Sequence, residues 1–190
     1  MPVSGRIFTI ALLSVIQSNN NLAIILEDED RLTRPRILII GETGVGKSSL
    51  ANSLMGRNPR HDGSEFDHGC FKVAWKTQGK VVTTDTCADT GHWLNKSSEI
   101  LVTVIDTPGV GDEMEAEQRT VNRLVDILKN QIKYVHVFVI AFKQDTNRIS
   151  NAMLNLLNVF QNTFGKSFWN NAILEATHWN FHPSKAESKG

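Results

Sequence analysis

Residues 41–48 read GETGVGKS and decide the fold, because they fit the G-x-x-x-x-G-K-[ST] pattern of a phosphate-binding loop. Residues 36–40, RILII, precede the loop and predict a short buried strand, and residues 48–55 predict the first turns of a helix. In such a unit the backbone N–H groups of the loop and the helix N-terminus converge on one point and bind an anion. The stretch therefore predicts a site for the phosphates of a nucleotide.

A second motif follows another apolar segment. Residues 101–105 predict a strand that ends in Asp106-Thr107-Pro108-Gly109. A carboxylate at the end of a strand beside the phosphate loop can hold Mg²⁺ through water, and the Gly109 N–H can contact a γ-phosphate. Alone, these four residues could be a simple turn. Together with the loop they favour a nucleoside triphosphatase, and by association of motifs a GTPase.

The two motifs assign roles to individual residues. Backbone N–H groups of residues 43–48 are expected to hold the phosphates, with Ser49 near the α-phosphate, and Lys47 to stabilise the transferred phosphoryl group. Ser48 and, through water, Asp106 are expected to organise Mg²⁺. The predicted nucleotide-binding residues in this part of the chain are Glu42, Thr43, Gly44, Val45, Gly46, Lys47, Ser48, Ser49, Asp106 and Gly109.

Composition narrows the class of protein. The chain has 190 residues, a formal net charge of zero, 41% hydrophobic and 21% charged residues, which are typical of one soluble globular domain. A neutral chain has no overall attraction for nucleic acid or for an anionic membrane, so neither partner is expected. Two cysteines, Cys70 and Cys87, make neither a disulfide framework nor a metal site. Reduced thiols and a cytoplasmic location are therefore predicted.

The pattern of strands and helices predicts an α/β fold with a doubly wound, mostly parallel sheet in three layers. Strands are predicted at 36–40, 71–75, 101–105, 134–142 and 172–176, helices at 48–55, 113–130 and 149–164, and mostly loop at 76–99. Residues 1–33 are predicted to be an N-terminal extension with a charged linker, residues 34–181 the P-loop domain and residues 182–190 a disordered tail. A sixth strand and a final helix are missing from the pattern, so the fold is expected to be truncated at its C-terminus.

The apolar run at residues 7–16 allows several readings. It resembles a signal-peptide core, but it is too short to span a bilayer and no small-residue cleavage site follows it. An extra strand, a helix lying on the domain or a poorly ordered leader remains open.

Residues 41–48 and 106–109, and the segment between them, resemble the septin-like branch of P-loop GTPases. The most similar group is the immune-associated nucleotide-binding (GIMAP) family with its AIG-type G domain, and the chloroplast-import GTPases are related. Residues 83–87, TTDTC, are similar to the V-T-K-x-C of that family's first switch region. The resemblance implies that Thr84 completes Mg²⁺ coordination and acts in catalysis with Lys47 and Gly109, with Thr83 as the alternative.

The resemblance also implies a base-recognition element, T-[RH]-x-x-D, after the last strand. Thr177 and His178 match it and are predicted to bind nucleotide, whereas Phe181 stands where the guanine-binding Asp belongs. Because Phe accepts no hydrogen bond, guanine preference comes from the resemblance alone. Asn180 is a possible substitute, and adenine nucleotide remains open.

The expected function is a Mg²⁺-dependent GTPase switch with GTP or GDP as ligand. Slow intrinsic turnover is expected because Val110 and Gly111 stand where Ras-like enzymes carry a water-orienting Gln. The resemblance implies a homodimer or oligomer formed through the G domain. Candidates for a role in trans are His92, Arg119 and Arg123. The alternative is a scaffold that binds nucleotide without hydrolysis or base selectivity.

Overall fold

The computed structural model describes residues 34–57, 70–71, 85–94, 99–111, 121–122, 124–127, 134–145 and 148–178. The predictions for the N-terminal extension, the C-terminal tail and residues 72–75 of the strand predicted at 71–75 therefore lie outside the described residues. The same holds for the individual predictions at Thr83, Thr84, Arg119, Arg123, Asn180 and Phe181.

Five strands form one sheet in the order β2-β3-β1-β4-β5. β1 pairs in parallel with β3 and β4, β4 pairs in parallel with β5, and β2 is antiparallel to β3. The strands are β1 Arg36–Gly41, β2 Cys87–His92, β3 Leu101–Asp106, β4 Val137–Lys143 and β5 Ala172–Thr177. The helices are α1 Lys47–Leu54, α2 Asn151–Phe164 and α3 Ser167–Asn170. The predicted mostly parallel α/β sheet is confirmed.

Both faces of the sheet are covered. Successive residues of a strand point to opposite faces, so β1 contributes Ile37 and Ile39 to one core cluster and Leu38 and Ile40 to the other. The first cluster includes side chains of α1, and the second includes side chains of α2. A strand buried on both faces reads as a continuous apolar run, which is how β1 was predicted. The predicted three layers are confirmed.

Helix α2 confirms the helix predicted at 149–164 and begins two residues later. Ser150 is its N-cap, and the Ser150 hydroxyl accepts a hydrogen bond from the Met153 N–H at 3.1 Å. Four apolar residues at helical spacing are buried against the sheet: Met153, Leu156, Leu157 and Phe160. Residues 121–122 and 124–127 are also helical, with Val121 and Leu124 buried, as predicted for that part of 113–130.

One prediction within 76–99 is wrong, because residues 87–92 form the strand β2 rather than loop. Its sequence, CADTGH, contains only polar and small residues, so it carries no apolar alternation. The strand lies at the edge of the sheet, where short strands with polar residues are common because they discourage pairing with another chain. Its pairing is fixed by β3, and the hydroxyls of Thr90 and Thr103 lie 2.8 Å apart across the two strands.

The prediction of two reduced thiols is also wrong for this structure. Cys70 and Cys87 form a disulfide, with their Cα atoms 6.0 Å apart. Their separation of 17 residues in the sequence gives no sign of this proximity. Within the described residues, no group of three or more His, Cys, Asp or Glu side chains could hold a metal ion by itself. The helices described are all too short or too polar to cross a membrane.

Candidate functional site

The phosphate loop lies at the edge of the sheet where the parallel strands end. It leaves β1 at Gly41 and enters α1 at Lys47. In the sheet, β3 lies on one side of β1 and β4 on the other. In open α/β sheets, the crevice between two such strands is where ligands bind.

The loop itself has a backbone that needs glycine at its junction with the helix. Gly46 precedes α1 with a φ of 89°, in the left-handed region that favours glycine. The Leu50 N–H then donates to the Gly46 carbonyl at 2.9 Å, so the helix begins directly at the loop. The Lys47 side chain is 6% exposed, and its Nζ donates to the Glu42 carbonyl at 2.8 Å. The ammonium group thus lies over the loop, where a phosphate would be bound.

Ser48 and Asp106 come together from the two motifs. The Ser48 hydroxyl donates to Asp106 Oδ2 at 2.5 Å. Asp106 is 0% exposed, and its other oxygen, Oδ1, has no hydrogen-bond partner among the described residues. Buried polar atoms are nearly always paired, so an unpartnered carboxylate oxygen beside a hydroxyl is a donor set that a cation would fit.

The pKa of Asp106 also agrees with a cation site at this carboxylate. Burial raises the pKa of Asp106 above its ordinary value, while the Ser48 hydrogen bond, the Lys47 charge and the Thr107 N–H act to lower it. Burial is the largest of these effects, so the carboxylate is destabilised in the folded protein. A cation bound at the carboxylate would offset this cost. The donor set of one hydroxyl and one carboxylate therefore fits Mg²⁺, which prefers oxygen ligands and keeps several waters.

Sequence reasoning missed two residues that position this pair. Thr107 is buried, and its hydroxyl donates to the Ile39 carbonyl at 2.8 Å, which fixes the end of β3 against β1. Asn52 is also buried, and its Nδ2 donates to the Ser48 and Phe71 carbonyls, at 3.0 Å each. Thr107 lies inside the D-T-P-G motif and could have been suspected there. Asn52 carries no signal in the sequence, because its partners are distant or backbone atoms.

Gly109 lies against the phosphate loop. The Thr43 N–H donates to the Val110 carbonyl at 3.0 Å, and Glu42 and Val110 form a parallel bridge. The Thr43 N–H is therefore engaged with the segment after β3. A Cβ on Gly109 would overlap the backbone and side chain of Thr43, so only glycine fits this approach.

A Gly109→Ala variant is expected to push this segment away from the loop. We expect a loss of about 1–3 kcal/mol in the free energy of unfolding, as for overpacking, and a weaker affinity for nucleoside triphosphate. Urea denaturation and nucleotide titration measure the two effects. Gly165→Ala is the control: its φ of 74° also disfavours alanine, but no atom lies near the added Cβ and the position is remote from the loop. Equal nucleotide affinity in the two variants would contradict the role given to Gly109.

Thr177 and His178 lie beside the phosphate loop at the end of β5. The Thr177 hydroxyl donates to the Val45 carbonyl at 2.5 Å, and the Phe142 carbonyl is 3.0 Å away. His178 has a φ of 57°, and its Nδ1 lies 3.1 Å from the Thr177 hydroxyl. A Cβ on Gly46 would lie 3.4 Å from the His178 ring, so the ring borders the loop. The structure thus brings together the first two residues of the predicted base-recognition element and the phosphate loop.

His92 is not part of this arrangement. It is paired with Leu101, at the amino end of β3, whereas the candidate site lies at the carboxyl end, beside Asp106. Leu101 and Asp106 are five residue steps apart along the strand, or about 17 Å at about 3.4 Å per residue. This position gives no support to the predicted role of His92 in trans.

Together, the strand–loop–helix unit and the acid at the end of a neighbouring parallel strand define a P-loop nucleotide-binding domain. The model of the AIG1 family matches residues 35–186. The chain belongs to the AIG1 family, and the resemblance seen in its motifs is confirmed.

Proteins of chloroplast import are among its relatives. Translocase of chloroplast 34 from Pisum sativum is 27% identical over 157 residues, which are 83% of this chain and 43% of that protein. The chain thus spans less than half the length of this relative. Toc33 from Arabidopsis thaliana, solved with GDP and Mg²⁺, has a TM-score of 0.55 and 20% identity over 90% of this chain and 58% of that chain.

A further solved structure comes from work stating that dimerization is important for the GTPase activity of the chloroplast translocon components atToc33 and psToc159. It has a TM-score of 0.57 and 19% identity, and the match covers 90% of this chain and 58% of that one. At such identities the solved structures show a shared fold.

Proposed function

We propose that this protein binds GTP with Mg²⁺ and hydrolyses it slowly to GDP and phosphate. The observation that carries the proposal is the hydrogen bond from the partly buried Ser48 to the fully buried Asp106, with Asp106 Oδ1 unpartnered among the described residues and the Lys47 ammonium on the neighbouring loop. Such sites act by positioning and by electrostatic stabilisation rather than through covalent chemistry.

Each part of the site has a role in this proposal. Backbone N–H groups of residues 44–48 bind the phosphates, with Ser49 near the α-phosphate, and Lys47 exchanges the Glu42 carbonyl for phosphate oxygens. The Thr43 N–H, predicted to act with them, donates to the Val110 carbonyl in this structure. Ser48 and, through water, Asp106 hold Mg²⁺ together with Thr84. When bound, Mg²⁺ neutralises charge on the phosphates. The Gly109 N–H binds the γ-phosphate. When the γ-phosphate leaves after hydrolysis, this contact is lost and the segment that follows β3 changes conformation.

We propose guanine as the base because the chain belongs to the AIG1 family and resembles proteins that bind guanine nucleotides. The related Toc33 was solved with GDP and Mg²⁺. In this chain, Thr177 and His178 border the loop at the place where a base would follow the phosphates. Phe181 cannot replace the carboxylate of the family motif, so we propose that other contacts supply guanine preference.

Slow turnover and self-association complete the proposal. Val110 is 2% exposed, and its carbonyl accepts the Thr43 N–H, so its side chain cannot orient a water molecule as Gln does. The work on atToc33 and psToc159 links dimerization to GTPase activity in those proteins. We propose a similar association through the G domain here, in the cytoplasm, where GTP and Mg²⁺ are abundant.

The alternative function is a scaffold that binds nucleotide without turnover, favoured by Phe181 and by Val110. It predicts nucleotide-dependent association but no release of phosphate. The intact set of Lys47, Ser48 and Asp106 opposes it, because a scaffold does not need a complete metal and phosphate site.

The experiment is a titration of the purified protein with fluorescent GTP, GDP and ATP analogues, with Mg²⁺ and with EDTA, followed by a phosphate-release assay. Tight, Mg²⁺-dependent, guanine-selective binding with slow release supports the proposal. Selective binding without release supports the scaffold. Binding that does not discriminate bases refutes guanine as the specific ligand, and absence of binding refutes both functions.

A further inference from the structure

We propose that the disulfide between Cys70 and Cys87 is a redox-sensitive modification site that controls the affinity of the protein for Mg²⁺-bound nucleotide. The proposal rests on the proposed function, since the controlled property is nucleotide binding. It is carried by the position of the two cysteines relative to Ser48 and Asp106.

The first step is the position of Cys87. It is the first residue of β2 and is paired directly with Asp106 in the antiparallel register of β2 and β3. Directly paired residues on adjacent strands lie about 4.5–5.5 Å apart. Any restraint on Cys87 therefore acts on the backbone that carries the metal-binding carboxylate.

The second step is the connection from Cys70 to the phosphate-loop helix. Phe71, the next residue, is 0% exposed and belongs to the core cluster that includes α1. Its carbonyl accepts a hydrogen bond from Asn52 Nδ2 at 3.0 Å, and the same Nδ2 group donates to the Ser48 carbonyl at 3.0 Å. The restraint on Cys70 thus reaches the backbone of Ser48.

The contacts of Cys87 and Cys70 join into a closed ring. The chain of contacts leads from Asp106 to Cys87, through the disulfide to Cys70 and Phe71, through Asn52 to Ser48, and back to Asp106 by the Ser48 hydroxyl. The disulfide is the covalent link in a closed ring of contacts that includes both Ser48 and Asp106. A preorganised site loses less freedom on binding, so the closed ring favours the bound metal.

The chemistry is a thiol–disulfide exchange. A dithiol reductant breaks the bond between the two sulfurs and supplies two electrons and two protons, which leave two thiols on the protein. The reductant's own two thiols become a disulfide. Cys70 is an exposed residue and Cys87 a partly exposed one, so Cys70 is the expected point of attack by the reductant. Disulfides in reducing compartments are usually transient or redox-sensing, which fits a switch better than a structural bond.

The test compares the wild-type protein after treatment with oxidised glutathione and after treatment with reduced dithiothreitol. Alkylation and intact-mass measurement count the free thiols, and a fluorescent GDP analogue gives Kd with Mg²⁺ and with EDTA. We expect the oxidised form to bind roughly fivefold more tightly than the reduced form in Mg²⁺, at the low end of usual couplings between sites, and equally in EDTA. A Cys70→Ser variant, altered at an exposed position, is expected to match the reduced form in both conditions.

The outcomes separate the two proposals. Equal Kd values for oxidised and reduced protein in Mg²⁺, or two free thiols after oxidised glutathione, overturn the redox proposal and leave the nucleotide-binding function intact. Absence of binding in both forms overturns the nucleotide-binding function and, with it, this inference. The comparison of the two wild-type forms needs no variant, so a Cys70→Ser protein that fails to fold does not weaken the test.

Discussion

A Lys47→Ala variant is expected to lose nearly all turnover of GTP. Lys47 is the only cation that the described structure places on the phosphate loop itself, 6% exposed and directed at the Glu42 carbonyl. Removing a preorganised group that stabilises transition-state charge typically lowers the rate by about 10²–10³-fold. Affinity for the triphosphate should fall as well, since the ammonium contacts the β- and γ-phosphates before the reaction.

Phosphate release under single-turnover conditions and a titration with a fluorescent GTP analogue measure these losses. Lys166→Ala is the matched control, because it removes the same charge from an exposed position outside the loop. The Lys47→Ala protein should remain folded, since the hydrogen bond from Nζ to the Glu42 carbonyl is worth about 1 kcal/mol. Unchanged phosphate release in Lys47→Ala would mean that the activity does not arise at this loop.

An Asp106→Asn variant is expected to lose Mg²⁺-dependent binding while gaining stability. Substitution of a residue that holds a metal through an intermediate group typically lowers the metal affinity about 10–100-fold. We therefore expect Mg²⁺ to tighten nucleotide binding in the wild type and to have little effect in the variant. Titrations with Mg²⁺ and with EDTA separate the metal-dependent part. Asp126→Asn, at an exposed helical position, is the control.

The stability effect follows from the pKa of Asp106, which burial raises above the ordinary value of 3.8. The folded protein therefore binds the proton more tightly than the unfolded chain. As the pH rises from 3.8 through the raised pKa, the free energy of unfolding falls, and above that pKa the loss is complete. Asn carries no charge at any pH, so the variant escapes this loss and should be at least as stable as the wild type in metal-free buffer at neutral pH.

Urea denaturation across that pH window gives the difference in free energy of unfolding between the wild type and Asp106→Asn directly. The difference should increase with pH in EDTA and shrink when Mg²⁺ and nucleotide are added. An Asp106→Asn protein less stable than the wild type at neutral pH without metal would show that the carboxylate is stabilised by groups other than a cation.

Much of the site could be predicted from the sequence, because its parts are local. The loop at residues 41–48, the strand before it and the helix after it are adjacent in the chain, so their order and residue types fix the geometry. Asp106 at a strand end and the buried helix α2 were predicted for the same reason. Parallel strands place such ends at one edge of a sheet, so joining the two motifs into one site required no further information.

Other features depend on contacts between distant residues. β2 has no apolar pattern, and only the free edge of β3 makes it a strand. The Cys70–Cys87 bond, the hydrogen bond from Asn52 to Phe71 and that from Thr177 to Val45 each join elements that no local pattern relates.

By itself, the sequence determined that this protein has a phosphate loop, a metal-binding acid and a mostly parallel α/β fold, because those properties follow from short segments with a fixed period and spacing. Only the tertiary structure decided that Asp106 is fully buried with one oxygen unpartnered among the described residues, and that a disulfide lies across from it. Burial and pairing depend on which segments the fold brings into contact, and residue types along the chain do not specify those contacts.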